Sequence, residues 1–137
     1  MSVSDFLLAE GVEMELPAEL DEMLGILEAE VQTFALDDYR YRLSPLRGVV
    51  GSEWRLLINL TGGDALGPEG APIGFLALEQ RQEGGTSLRI PPRPELEHEN
   101  MAQADPEGTF YSSFIFQLLN AFQQRGYLDL PGTLPIR

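Results

Sequence analysis

Cysteine and lysine are absent from this chain of 137 residues, and histidine and tryptophan occur once each, as His98 and Trp54. Without cysteine there is no disulfide framework, no thiolate metal site and no sulfur nucleophile. Without lysine a Walker-type phosphate loop is excluded, because that loop closes on Gly-Lys-Ser/Thr. The alternating Asp/Asn ligands of a calcium loop are missing too. Ser87, Ser112 and Ser113 lack the flanking glycines of a nucleophile elbow. No apolar run approaches the ~20 residues that span a bilayer. Phe6-Leu7-Leu8-Ala9 is too short for a signal-peptide core and has no basic residue before it, so a cytoplasmic location is expected.

What remains is globular in composition. Hydrophobic residues make up 43% and charged residues 23%, which separates the chain from disordered sequences. Its length suits one domain of about 100–200 residues. A single domain over 1–137 is therefore expected, with an acidic N-terminal segment at 1–16 and an extended tail at 127–137.

The charge is mostly of one sign. A formal net charge of −13 repels nucleic acid and anionic lipid, so neither is expected as a partner. All nine basic residues are arginine. Codon usage in a GC-rich bacterial genome explains this, and so does a need for planar, bidentate contacts to carboxylates. Residues 1–38 carry eleven acids and no base, whereas 39–93 carry seven arginines against five acids. The expectation is that the acidic first segment packs near the arginine-rich middle.

Apolar spacing sorts the chain into elements. Ser4 opens a short helical turn that Gly11 ends, and Val12, Met14 and Leu16 alternate with glutamates as in a strand. Leu20, Met23, Leu24, Leu27, Val31 and Phe34 follow helical spacing, predicting a helix over 17–35 with Leu24 and Leu27 at the centre of its buried face. The period then becomes two over 39–43 and 54–60. Residues 61–72 hold four glycines and two prolines, predicting a loop. An apolar strand at 73–78 turns through Glu83-Gly84-Gly85 into another at 86–90. Pro91-Pro92-Arg93-Pro94 matches the extended ligand of an SH3-like groove in form, but reads first as a stop to the sheet. An acidic connector over 95–104 leads to Asp105-Pro106-Glu107, a helix start, and that helix ends at Gly126. The fold class is α+β: a four-stranded antiparallel meander, or five-stranded if 12–16 joins it, between an N-terminal and a C-terminal amphipathic helix.

Three constellations bear on function. His98 sits among Glu95, Glu97 and Glu99, but the sequence shows neither further metal ligands nor a nucleophile for a base, so no metal and no cofactor are expected. Arg40, Arg42, Arg55 and Arg89 all oppose the apolar positions of their strands. On a meander they share the helix-free face, as an anion-binding platform or as partners for internal carboxylates. Glu53 has the same parity. The last helix carries no charge between Thr109 and Gln124. Its face opposite the apolar arc holds Phe116 among Ser112, Ser113, Gln117, Asn120 and Gln123, and charge depletion of this kind suits a subunit contact.

In size, acidity and helix–sheet–helix order the chain is loosely similar to the secretion chaperones of the type III class; no signature residue carries that likeness, and no function is transferred from it. The expected role is a non-enzymatic interaction module (adaptor, regulator or chaperone-like subunit), homo-oligomeric through the last helix and with an unidentified protein partner. The alternatives are a binder of a small anion on the arginine face, and a hydrolase using carboxylates that sequence alone does not pair.

Overall fold

Gly11 adopts a φ of 72°, which glycine reaches without strain, and its N–H closes the first helix on the carbonyl of Leu7 at 2.8 Å. In the computed structural model, which describes residues 3–45, 53–62, 70–101 and 103–127, that helix is α1, Val3–Glu10. The chain leaves it directly as strand β1, Val12–Leu16. Then follow α2 (Leu20–Val31), β2 (Ala35–Leu36), β3 (Tyr39–Pro45), β4 (Trp54–Thr61), β5 (Ala71–Gln80), β6 (Thr86–Ile90), α3 (Arg93–His98) and α4 (Thr109–Gln124). The tail expected at 127–137 lies outside the described residues beyond Tyr127, as do residues 63–69 of the expected glycine-rich loop.

The fold is α+β with helices at both ends, and among the described residues the sheet has six strands rather than four or five. Their order is β1-β6-β5-β4-β3-β2, antiparallel throughout. The core of the meander, β3 to β6, is as expected. The 12–16 strand joins at the far side of β6, with Val12 opposite Ile90 and Leu16 opposite Thr86. Two residues, Ala35 and Leu36, add the strand that hydrophobic periodicity is too coarse to reveal.

This short β2 also explains why α2 is shorter than the expected helix 17–35. The backbone turns after Val31 through bonds from Thr33 to Glu30 and from Phe34 to Val31. Phe34 stays in the core, edge-on to Phe114 at 5.6 Å, so its apolar spacing continues after the helix has ended. The side-chain amide of Gln117 then accepts from the Ala35 N–H and donates to the Ala35 carbonyl, each at 3.2 Å, holding β2 as a neighbouring strand would. At the other end, the Leu20 N–H donates to Gln80 Oε1 at 2.9 Å and Thr86 Oγ1 donates to the Ala18 carbonyl at 2.7 Å. The β5–β6 hairpin thus caps α2, and Pro17 and Ala18 are left in the turn. Leu27 is fully buried, while Leu24 is only half-buried and packs on the core from its margin.

Two helix starts differ from expectation for similar reasons. Pro91-Pro92-Arg93-Pro94 does end the sheet, but its second half opens α3 inside the expected connector, since proline costs nothing in a first helical turn. Asp105 does cap the last helix, from a turn further back. Its carboxylate accepts from the N–H groups of Phe110 at 3.2 Å and Tyr111 at 2.9 Å, and Gly108 in the left-handed region bends the chain between them.

One face of the sheet carries the core. Tyr41, Leu56, Ile58, Leu60, Leu76, Leu78, Leu88 and Ile90 meet Met23, Leu27 and Val31 of α2 and Tyr111, Phe114, Ile115, Leu118 and Phe122 of α4 in one cluster. The register slips between Ile58 and Asn59, which oppose Gly74 and Pro72 and leave Ile73 as an extra residue. At this bulge the Tyr111 ring lies on Gly74, where an added Cβ would fall 2.5 Å from Tyr111 Cε1. Tyr41 reaches the same helix, donating its hydroxyl to the Phe110 carbonyl at 2.8 Å.

Two predictions follow from this packing. Gly74→Ala drives a methyl group into a buried ring backed by Leu96, and is expected to destabilise by about 1–3 kcal/mol, read from the urea midpoint. Burial raises the Tyr41 phenol from 10.0 to about 12. Because the folded value lies above the unfolded one, its contribution to stability is complete below pH 10.0 and is lost as pH rises through about 12. The difference in tyrosinate absorbance between wild type and Tyr41→Phe should therefore appear near pH 12 and not at the ordinary phenol value.

Candidate functional site

Strand β5 lies between β4 and β6, and its Ala77 opposes Arg55 on one side and Arg89 on the other. Side chains alternate along a strand, so Phe75 shares with both arginines the face opposite that covered by α2 and α4. It is nevertheless fully buried. The guanidinium carbon of Arg55 stands 4.4 Å from its ring centroid and that of Arg89 5.9 Å, so two cations cover the ring. Such contacts contribute roughly 0.5–2 kcal/mol each, depending on desolvation.

Three carboxylates hold those cations in place. Glu53 accepts from Arg55 Nε at 3.4 Å with one oxygen, and from Arg89 Nη2 at 3.2 Å with the other. Glu95 takes Arg89 Nη1 with both oxygens, at 2.9 and 3.1 Å, and Glu99 takes Arg55 Nη1 at 3.1 Å. Glu95 and Glu99 are four residues apart on the helical turn of α3, so a single short helix reaches both arginines. Guanidinium suits this arrangement better than an ammonium, since its five donors spread in a plane over ring and carboxylates at once. Burial works against the charge of Arg89, but hydrogen bonds and attraction from Glu95 and Glu53 more than offset it and raise its pKa. Burial likewise raises the nearby Tyr111 phenol, and Glu95 adds to the effect.

Of the four arginines that sequence parity puts on one face, the structure brings Arg55 and Arg89 together. Arg40 and Arg42 lie across from Thr61 and Asn59, further along the sheet and exposed, and the Arg40 guanidinium donates to the Tyr39 carbonyl at 3.0 Å. The acids that meet the central pair come from residues 53, 95 and 99, not from the acidic first segment. That segment gives Glu15 to Arg81 at 3.4 Å and Glu30 to Arg125 at 2.8 Å. Glu13 is level with Arg89, but α3 reaches the guanidinium from the end of β6 and takes up its donors.

The uncharged face of α4 divides in two. Ser112 is buried and donates to the Thr109 carbonyl, and Ser113 accepts from Gln117, which itself holds β2. Their neutrality has an internal reason. Phe116 is half-buried against the core, and Asn120 and Gln123 are exposed. His98 is exposed in the last turn of α3, and among the described residues no group of three or more His, Asp or Glu side chains is placed to hold a metal.

A second feature lies on the same face of the sheet as Arg55 and Arg89. Two open grooves, of about 490 and 390 Å³, adjoin at Glu79 and Ser87. Glu13, Met14, Glu15 and Leu88 complete the larger, and Gln80, Arg81, Gln82 and Glu83 the smaller. Register alone shows how they form, because Glu15, Ser87 and Glu79 stand in one row across three strands.

The arginine cluster behaves chemically as a clamp, since an anion reaching Arg55 or Arg89 must displace a carboxylate of the chain. A double-mutant cycle on Arg89→Met and Glu95→Gln should give a coupling of about 1–2 kcal/mol in urea denaturation, as charge-assisted bonds with partial burial do. The Arg93–Glu97 pair, whose carboxylate is 60% exposed, should give about 0.3–0.5 kcal/mol in the same measurement.

Comparison of the chain with protein-family models, with curated proteins and with solved structures finds no match, so its function is argued from these residues.

Proposed function

We propose that the chain is a non-enzymatic protein-interaction module, of the adaptor, regulator or chaperone-subunit kind, and that two copies associate through the outer side of α4. The observation that supports this reading is the absence of charge from Thr109 to Gln124 in a chain of net charge −13. Two copies repel each other wherever carboxylates face carboxylates. The strip formed by Phe116, Asn120 and Gln123 is where that repulsion is weakest. A twofold contact brings the same strip together from both copies, and neutral amides there avoid the desolvation that glutamates would suffer.

The arginine-face alternative has less in its favour, because the best-placed cations, Arg55 and Arg89, already hold Glu53, Glu95 and Glu99. For the hydrolase alternative, Glu13, Glu15 and Glu79 line an open groove and not a closed cavity, while Glu53, Glu95 and Glu99 are engaged by Arg55 and Arg89.

Phe116 packs partly on the core, so Asn120 and Gln123 are the cleaner positions for a test. Light scattering across a concentration series should show a monomer–dimer equilibrium for the wild type. The Asn120→Glu/Gln123→Glu variant should be a monomer with an unchanged urea midpoint. A wild type that remains monomeric at high micromolar concentration overturns the dimer.

A further inference from the structure

We propose that β1 is a docking edge, onto which an extended segment of a partner protein, alternating basic and apolar residues, adds as a further strand. This names the chemistry of the partner and rests on the reading of the chain as an interaction module, but not on the α4 dimer. Among the described residues β1 stands at the end of the sheet and pairs with β6 on one side. An edge strand presents a row of backbone donors and acceptors on its outer side, which another strand satisfies.

The side chains of β1 specify which strand that is. Val12 and Met14 point to the helix-covered face and remain half-buried at its margin. Glu13 and Glu15 point to the other face, are exposed, and line the groove of about 490 Å³ together with Glu79. Their charge is only partly met from within. Arg89, level with Glu13, is taken up by Glu53 and Glu95, and Arg81 is shared between Glu15 at 3.4 Å and Glu83 at 3.6 Å. Two β1 strands side by side would set glutamates against glutamates, so a second copy is the wrong occupant. An incoming strand with arginine or lysine on one face and aliphatic residues on the other matches both faces of β1. The field of a chain with net charge −13 steers such a segment inward.

Any polycation is attracted to so acidic a protein, and the test must separate strand addition from that background. The probe is a short labelled peptide alternating lysine and valine, followed by fluorescence anisotropy. Its control replaces each valine by proline, which keeps the charge and removes ladder donors. Strand addition predicts that the proline peptide binds at least about tenfold more weakly, and that Glu13→Gln/Glu15→Gln weakens the valine peptide by about tenfold. Asp21→Asn/Glu22→Gln, which removes the same charge from exposed positions of α2, should change affinity by less than about twofold. Hydrogen exchange should slow at the amides of 12–16 when the peptide binds. Equal binding of the two peptides, or equal losses in the two double variants, overturns the proposal. The Asn120→Glu/Gln123→Glu variant should bind the valine peptide as the wild type does, so failure of the dimer and failure of the docking edge are read separately.

Discussion

The seat of Tyr111 on Gly74 is the contact on which the rest of the arrangement depends. Only a residue without a side chain admits the ring at that point, and the bulge at Ile73 turns the strand so that the ring fits. The same tyrosine donates its hydroxyl to the Pro91 carbonyl at 2.6 Å and its backbone N–H to Asp105 at 2.9 Å. One residue thereby fixes the end of β6, the start of α4 and, between them, the place of α3. Leu96 of α3 packs against the same glycine. With α3 set there, Glu95 and Glu99 face the two arginines, so the order of the charged cluster on one side of the sheet is settled by a packing contact on the other.

That order changes how the acidity of the chain is read. The acids are not a uniform coat. Glu19 joins the hairpin by accepting from the Gly85 N–H at 3.1 Å, Asp105 is buried as a helix cap, and Glu53, Glu95 and Glu99 serve the arginines. Glu99 accepts one hydrogen bond, and the other four carboxylates each accept two or more, the circumstance in which a charge withstands partial burial. Among the described residues, Asp21, Glu22 and Glu28 of α2 and Glu13 of β1 are exposed and take no part in these contacts.

Much of the fold was legible because period and burial coincide. Leu56, Ile58 and Leu60 recur at every second position and are all buried; Met23, Leu27 and Val31 recur at helical spacing and are buried as well. Legibility failed where a side chain from a distant element does the work of the local backbone. Gln80 caps α2 and Gln117 completes β2, and a glutamine carries no mark of either task in the sequence. The arginine cluster was half legible. Strand parity placed Arg55, Arg89 and Glu53 on one face, but the other two acids arrive on a six-residue helix that the preceding prolines disguised as a strand stop. The spacing of Glu95 and Glu99 was the available signal, and reading the segment as a connector removed its meaning.

The pairing of β1 with β6 has a consequence for the order in which the molecule assembles. Val12 leaves the ribosome long before Ile90, its partner in the ladder, has been made. Strands β3, β4 and β5 meet neighbours soon after emergence, whereas the first strand waits for its partner until β6 has been made. A waiting strand with unpaired backbone donors and acceptors invites capture by other nascent chains. Glutamate at every second position gives it solubility during that interval, and the last strand of the sheet to be synthesised closes over the first.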